Sequence, residues 1–156
     1  MQTGPVWARP RVVAQSALIL RSFHATVGRA LLPSSGDALA DAQALFEAPF
    51  AVLAHGTQDD PVFFYGNATA LRLWEMSFED FTRMPSRLSA EPMLREERQS
   101  LLERAARQGY IDDYRGVRIS SGGARFRIEN VILWTLADDD GVSRGQAAFV
   151  PEWTPV

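Results

Sequence analysis

The chain has 156 residues, of which 46% are hydrophobic, and a formal net charge of −3. This length suffices for one domain with a buried core and is short for two. The net negative charge, with arginines dispersed along the chain, argues against a nucleic-acid-binding surface. No cysteine is present, which excludes disulfides, thiolate nucleophiles, cysteine-ligated zinc and cysteinyl adducts of a chromophore.

The first residues, MQTGPVWARPRVVAQ, lack the charged-then-apolar layout of a signal peptide. No apolar run approaches the roughly 20 residues that a membrane-spanning helix needs. We therefore expect a soluble cytoplasmic protein that binds neither membrane nor nucleic acid.

Two leading helices are predicted before the first strand. Residues 1–10 are expected to form a loose arm. From Arg11 to Leu32 apolar residues recur every three or four positions, which is typical of a helix with one apolar stripe. The residues of this stripe are Ala17, Leu20, Phe23, Val27 and Leu31. The segment DALADAQALFEAP predicts a second, shorter helix that ends at Pro49. We assign residues 1–36 to the arm and leading helix and residues 37–156 to the main domain.

The sequence in the middle of the chain indicates a hairpin followed by helices. The runs FAVLAHG and VFFYG flank the turn TQDDP. Asn67 is expected to cap the next helix, because its short side chain can accept from an amide two or three residues on. Trp74 and Met76 would then close that helix against the sheet. A short helical piece, SFEDFTRM, precedes a longer helix over residues 92–108 that ends at Gly109.

The last third predicts three antiparallel strands, YIDDYRGVRIS, ARFRIENVILWTLA and RGQAAFVPEW, separated by the turns SGG and DDDG. In the middle strand one parity is assigned to the core: Phe126, Ile128, Ile132, Trp134 and Leu136. Val131 and Leu133 fall on the opposite, outer parity. The predicted fold is α+β, a five-stranded antiparallel sheet with a helical connector on one face and two leading helices.

This order, with a strand that ends in Gly-Asn where a helix begins, resembles a PAS domain. The segments LFEAPFAVLAHGTQDDPVFFYGNATALRLWEMSFEDFTRMPSRLSAEP, GVRISSGGARFRIENVILW and FVPEW resemble the MEKHLA domain over about residues 37–154. This PAS-related family occurs as small bacterial proteins and at the C-terminus of plant homeodomain-leucine zipper factors. The resemblance implies a connector and a longer helix that enclose a small pocket over the sheet. The plant proteins' homeodomain and zipper have no counterpart in this sequence.

Two polar residues stand where the periodicity predicts apolar ones. Asn130 shares the parity assigned to the core, and Arg98 lies on the apolar stripe of the predicted helix over residues 92–108. Burying either without a partner costs on the order of 1–3 kcal/mol for the amide and more for the charge. Each is therefore expected to face an anionic or amide-bearing ligand, or to bond internally. The internal alternatives are Arg98 to Glu91 or Glu75, and Asn130 to a loop carbonyl.

The candidate ligand-binding residues combine these two with aromatic and connector positions around the expected pocket. They are Asn67, Trp74, Met76, Arg98, Tyr114, Asn130 and Trp134. The aromatic residues among them are suited to wall a flat heterocycle, and the alternative is that they form ordinary core.

Catalytic and metal sites have little support in the sequence. Asp112 and Asp113 are adjacent, so a strand would point them to opposite faces. His24 and His55 are far apart and make a poor metal site. Haem-binding PAS domains commonly carry an axial histidine on the long helix, which has none here, so haem is disfavoured; haem through His55 stays open. A flavin–cysteine adduct is excluded, whereas a non-covalently held flavin is not, and we expect a colourless protein.

Three functional hypotheses follow. The preferred one is a non-enzymatic sensory or regulatory module that binds a small molecule or a partner protein in the pocket. The alternatives are an enzyme acting on a small substrate in the same pocket and a dimerisation module without ligand.

The stripe of the leading helix is too apolar to face water along its length. Leading helices of PAS domains commonly pack against a partner, so we favour a homodimer through this helix. The alternative is that it covers the outer face of its own sheet, where Val131 and Leu133 are expected.

Overall fold

The computed structural model describes residues 4–90 and 92–156, apart from the side chains of residues 92–95, 98, 102 and 105. The helices are α1 (Pro10–Val27), α2 (Ala38–Phe46), α3 (Ala68–Trp74), α4 (Phe78–Phe81) and α5 (Pro92–Gln108). Short 3-10 turns lie at Val6–Ala8 and Ser86–Ser89. The strands are β1 (Ala51–His55), β2 (Phe63–Gly66), β3 (Tyr110–Ile119), β4 (Arg125–Ala137), β5 (Ser143–Val150) and β6 (Glu152–Pro155).

The strands form one antiparallel sheet in the order β2-β1-β5-β4-β3, which confirms the predicted α+β class. β6 is a sixth strand that continues the line of β5 along β4, so that β5 pairs with one half of β4 and β6 with the other. The sequence predicted one strand here. Pro151 divides it, because proline has no N–H to give to the strand ladder.

The helix ends follow local chemistry. Asn67 caps α3 as predicted, since its Oδ1 accepts from the Ala70 amide at 3.1 Å. α1 ends at Val27 instead of Leu32, because Gly28 adopts a left-handed φ of 88° and donates its N–H to the His24 carbonyl. No described helix is both long enough and apolar enough to cross a membrane.

A bulge at Asn130 changes which side chains of β4 face which side of the sheet. Tyr114 pairs with Val131 and Gly116 with Ile128, so β4 has one residue more than β3 between these two pairs. Asn130 has a φ of 55°, in the left-handed region that Asn tolerates better than most residues. The side-chain alternation therefore reverses after Asn130, and the single parity predicted for the whole strand is wrong.

Both faces of the sheet are buried, and the bulge decides which residues of β4 face each side. On the inner face, β4 residues from both sides of the bulge pack with α3 and α4: Phe126, Ile128, Val131 and Leu133 with Trp74 and Phe81. On the outer face, the remaining apolar residues of β4 pack with α1: Ile132, Trp134 and Leu136 with Ile19 and Phe23. Helices therefore cover both faces of the sheet.

A second bulge lies on β3, where Ile111 pairs with Leu133 and Tyr114 with Val131. It holds Asp112 and Asp113, and both carboxylates are exposed. The prediction that they point to opposite faces assumed regular alternation, which the bulge interrupts at these two residues.

α1 lies against the outer face of its own sheet, as the covering alternative proposed. Trp134 Nε1 donates to Ser22 Oγ at 3.0 Å, and the Trp134 ring meets Phe23 edge to face at a centroid distance of 4.9 Å. The buried residues of α1 are Val12, Ser16, Ile19, Ser22 and Phe23. Within α1, Phe23 alone is common to this set and the predicted stripe. The single chain does not test self-association, which stays a prediction.

We expect Gly145→Ala to destabilise the fold by on the order of 3 kcal/mol. Gly145 on β5 has a φ of 132°, and a Cβ there would lie 1.9 Å from the backbone oxygen of His55 on β1. That oxygen belongs to the paired strand and has no room to move. The measurement is urea unfolding followed by tryptophan fluorescence.

Gly141→Ala is the matched control, because Gly141 also has a positive φ, 79°, but open space around its Cβ position. This variant should lose about 1 kcal/mol in the free energy of unfolding, because alanine is less favourable than glycine in a left-handed backbone conformation. Equal losses at the two glycines would contradict the steric explanation.

Candidate functional site

A small pocket of about 50 Å³ lies between the inner face of the sheet and helices α3 and α5. Its walls are mostly apolar and come from both layers: Leu53, Ala54, Phe63, Trp74, Leu101, Ile128, Leu133, Ala147, Ala148 and Val150. Its polar lining residues are His55, Ser89, Tyr114, Arg118 and Gln146. Strands β1, β3, β4 and β5 supply most of this lining.

A buried arginine–tyrosine pair forms the polar end of the pocket. Arg118 is 6% exposed and Tyr114 is 7% exposed. Arg118 Nη2 donates to Tyr114 Oη at 2.8 Å, and Nη1 donates to the Val117 carbonyl at 2.9 Å. Within the described part of the chain, Arg118 forms no ion pair with a carboxylate. A guanidinium is therefore buried here with neutral partners.

Gly116 makes room for this pair. A Cβ at position 116 would lie 2.5 Å from Tyr114 Oη and 3.0 Å from Arg118 Nη1. Residues 114, 116 and 118 share one side of β3, so the missing side chain at Gly116 lets its two neighbours meet across it.

Two of the other polar lining residues have described hydrogen bonds. His55 Nδ1 lies 3.0 Å from the Gly56 carbonyl oxygen, and because that oxygen only accepts, Nδ1 is the donor in this bond. Ser89 Oγ donates to the Ser86 carbonyl at 2.7 Å. No Asp or Glu occurs among the described residues that line the pocket.

Two of the predicted site residues, Trp74 and Tyr114, line the pocket together. Trp74 is 1% exposed and stacks edge to face on Phe126. Met76 is half-buried against the inner core without belonging to the pocket lining. The side chain of Arg98 lies outside the described residues.

Three predicted site residues lie elsewhere. Asn67 is completely buried, and its side chain bonds to backbone groups of Val52, Ala70, Leu45 and Phe50. Trp134 faces α1 on the outer side of the sheet, because the bulge reverses its direction.

Asn130 is exposed, and its Nδ2 donates to a carboxylate oxygen of Glu152 on β6. The prediction that it faces the core is wrong, because it forms the bulge itself. Its described partner is the Glu152 carboxylate and not the loop carbonyl of the internal alternative.

Arg118 was missed by the sequence analysis, although a pattern for it existed. Alternation forward from Tyr114, which was a candidate, places residues 116, 118 and 120 on the same side of β3. Arginines are mostly exposed in folded proteins, so this alternation was not taken as a sign that Arg118 is buried.

Metal ligands do not gather in the described part of the chain, where no group of three or more His, Asp or Glu side chains is placed to hold an ion. A flavin does not fit the pocket either. Sites for ligands of drug size measure roughly 300–1,000 Å³, far above the volume here. The sequence also has no cysteine for an adduct.

The fold is similar to that of solved PAS domains. The PAS domain of a protein from Colwellia psychrerythraea matches with a TM-score of 0.63 at 16% identity, covering 74% of this chain and 92% of that one. An RNA-binding light-oxygen-voltage receptor matches with a TM-score of 0.61 at 17% identity, covering 80% of this chain and 36% of that one.

A third similar structure is a PAS domain in complex with ethanol, from a LuxR-family transcriptional regulator of Burkholderia thailandensis. Its TM-score is 0.53 at 16% identity, covering 69% of this chain and 92% of that one. Identities this low show the fold alone, and they confirm the PAS fold that the resemblance implied.

No curated protein matches the chain. The family model of the MEKHLA domain, in contrast, matches residues 13–155, a range that includes most of α1 and the predicted boundary between residues 36 and 37. Because this match covers nearly the whole chain, the chain belongs to the MEKHLA domain family, and it has a PAS fold.

Proposed function

We propose that this chain is a sensory or regulatory module that binds a small molecule in the pocket between α3, α5 and the inner face of the sheet. The observation that carries the proposal is the Arg118–Tyr114 pair at one end of a mostly apolar pocket. A few convergent polar groups among apolar walls are typical of sites that bind and orient a small ligand.

The size of the pocket limits the ligand to a few non-hydrogen atoms. About 50 Å³ exceeds the roughly 10–15 Å³ that one water needs by severalfold. The similar PAS domain in complex with ethanol supports a ligand of this size.

Binding without catalysis is favoured over the enzyme alternative. General acid–base catalysis is most often carried by a histidine or carboxylate positioned to give a proton to the reacting group or to take one from it. The described lining has no carboxylate to pair with its histidine, and Nδ1 of that histidine, His55, donates to the Gly56 carbonyl.

Ethanol is the probe for the pocket itself. Three non-hydrogen atoms limit its affinity to about the millimolar range. In amide-resolved NMR titrations, we expect ethanol to shift the resonances of pocket-lining residues. Ala148→Leu should weaken this binding by roughly tenfold or more, because Ala148 lines the pocket and a larger side chain there fills it.

Ala124→Leu is the control, since Ala124 is exposed in the turn between β3 and β4. It should bind ethanol as the unaltered protein does. Shifts scattered over the surface, or unchanged binding by Ala148→Leu, would contradict the proposal.

A further inference from the structure

The polar end of the pocket favours one class of ligand. We propose that the pocket binds a short-chain monocarboxylate, with its carboxylate on Arg118 and Tyr114 and its alkyl chain against the apolar walls. This inference rests on the proposed function, because it names the ligand class of the same pocket.

The first argument is charge. Arg118 is 6% exposed, and a guanidinium stays protonated at every physiological pH. A buried charge without an opposite charge is costly. The described partners of Arg118 are the Tyr114 hydroxyl and the Val117 carbonyl, both neutral. A bound carboxylate would supply the negative charge that these described partners lack.

A nearby carboxylate, that of Glu75, does not take this place. It accepts from Ser120 Oγ at the end of β3. Of the described residues that line the pocket, Arg118 is the one with a fixed charge. Among these residues, the Arg118 end of the pocket therefore carries a positive charge.

The second argument is the direction of the hydrogen bonds. A guanidinium has five N–H donors and no acceptor, so Tyr114 Oη must accept in the 2.8 Å bond. The proton of Tyr114 is then free to be donated elsewhere. Arg118 uses Nη1 and Nη2 once each, so it has further N–H groups to donate. This end of the pocket thus offers donors from two side chains, which match the two oxygens of a carboxylate.

The third argument is the remaining lining and its volume. Aliphatic side chains face the pocket from β1, β4 and β5, namely Leu53, Ile128, Leu133 and Val150. They suit an alkyl chain and give no second fixed cation for a dicarboxylate among the described residues. A pocket of about 50 Å³ restricts the chain to a few carbons.

The experiment compares propionate with propionamide on the unaltered full-length protein at pH 7, by amide-resolved NMR. The two probes have the same number of non-hydrogen atoms and differ in charge. We expect propionate to bind roughly tenfold or more tightly than propionamide, from one charge-assisted hydrogen-bonded contact. Equal affinities, or tighter binding of propionamide, would overturn the inference.

Variants then locate the contact. Arg118→Met should abolish the preference for propionate and leave the affinity for propionamide within about twofold to threefold, since the change removes charge but keeps length. Tyr114→Phe keeps the ring but removes the hydroxyl, and it should lower the affinity for propionate by roughly fivefold. Arg127→Met is the matched control, because Arg127 is exposed on β4 and should not affect either probe.

The outcomes separate this inference from the proposed function. If ethanol and propionamide bind in the pocket but propionate has no advantage, the pocket is a ligand site and the carboxylate assignment fails. If no probe shifts the lining residues, both fail. A preference for propionate that survives in Arg118→Met overturns the assigned contact. If Arg118→Met does not fold, Tyr114→Phe and the ratio of the two affinities on the unaltered protein decide.

Discussion

Removal of residues 1–33 is expected to abolish the folded state. α1 covers the outer face of the sheet with fully buried Ile19 and Phe23, and it contacts the buried ring of Trp134. Full burial of each such side chain stabilises by about 1.5–3 kcal/mol. If several of these side chains lose their burial, the summed loss approaches 5–15 kcal/mol, which is the free energy of unfolding of a typical domain. Circular dichroism and light scattering should show an unfolded or aggregating chain.

Self-association through α1, which the sequence analysis favoured, makes the opposite prediction. A dimer held by this helix would fall apart on deletion into a folded, monodisperse monomer. That result would contradict the covering role of α1. The molar mass of the full-length chain, measured by light scattering, tests self-association independently of the deletion.

A point variant tests the same contact more mildly. Phe23→Ala should lose roughly 3–5 kcal/mol in the free energy of unfolding, because it leaves a cavity beside Trp134. His24→Ala is the control on the exposed side of α1 and should change stability by less than about 0.5 kcal/mol.

Replacement of Asn67 by alanine is expected to cost roughly 3–5 kcal/mol in the free energy of unfolding. Its Oδ1 accepts from the amides of Val52 at 3.0 Å and Ala70 at 3.1 Å. Its Nδ2 donates to the carbonyls of Leu45 at 3.0 Å and Phe50 at 2.8 Å. Alanine would leave these buried backbone groups without their partners.

Asn130→Ala is the matched control, since Asn130 is the other asparagine of the sequence and is exposed. Its replacement should cost about 1 kcal/mol, from the left-handed backbone and one exposed hydrogen bond. If urea unfolding shows similar losses in the free energy of unfolding at both positions, the buried hydrogen bonds of Asn67 contribute little to stability.

Asn67→Asp distinguishes lost hydrogen bonds from lost volume. The introduced carboxylate keeps the two accepted bonds but points an oxygen at the carbonyls of Leu45 and Phe50. Burial beside these oxygens should raise the pKa of the introduced carboxyl above its unfolded value of about 3.9. Its contribution to stability is then highest below that value and falls as pH rises toward the folded pKa. The deficit relative to the unaltered protein should therefore be larger at pH 7 than at pH 4.5, and equal deficits would contradict this account.

Local features were readable from the sequence. The cap at Asn67, the helix over residues 92–108 and the turn at DDDG each depend on a few adjacent residues, and each was predicted correctly. The resemblance to the MEKHLA domain rested on several separated motifs of this kind and is confirmed. Trp74 and Tyr114, two of the candidate residues, line the pocket, because both lie in elements whose order defines the fold; ligand binding by them stays a prediction.

Tertiary structure decided which face each side chain of the sheet occupies. A one-residue bulge reverses the alternation of β4 after Asn130, and strand periodicity in the sequence does not show where pairing slips. For this reason Trp134 packs under α1, Val131 and Leu133 face the inner core, and Asn130 lies in solvent. The same dependence explains Arg118. Its burial follows from pairing with β4 and from the space that Gly116 leaves for Tyr114, two relations between residues that only the folded sheet brings together.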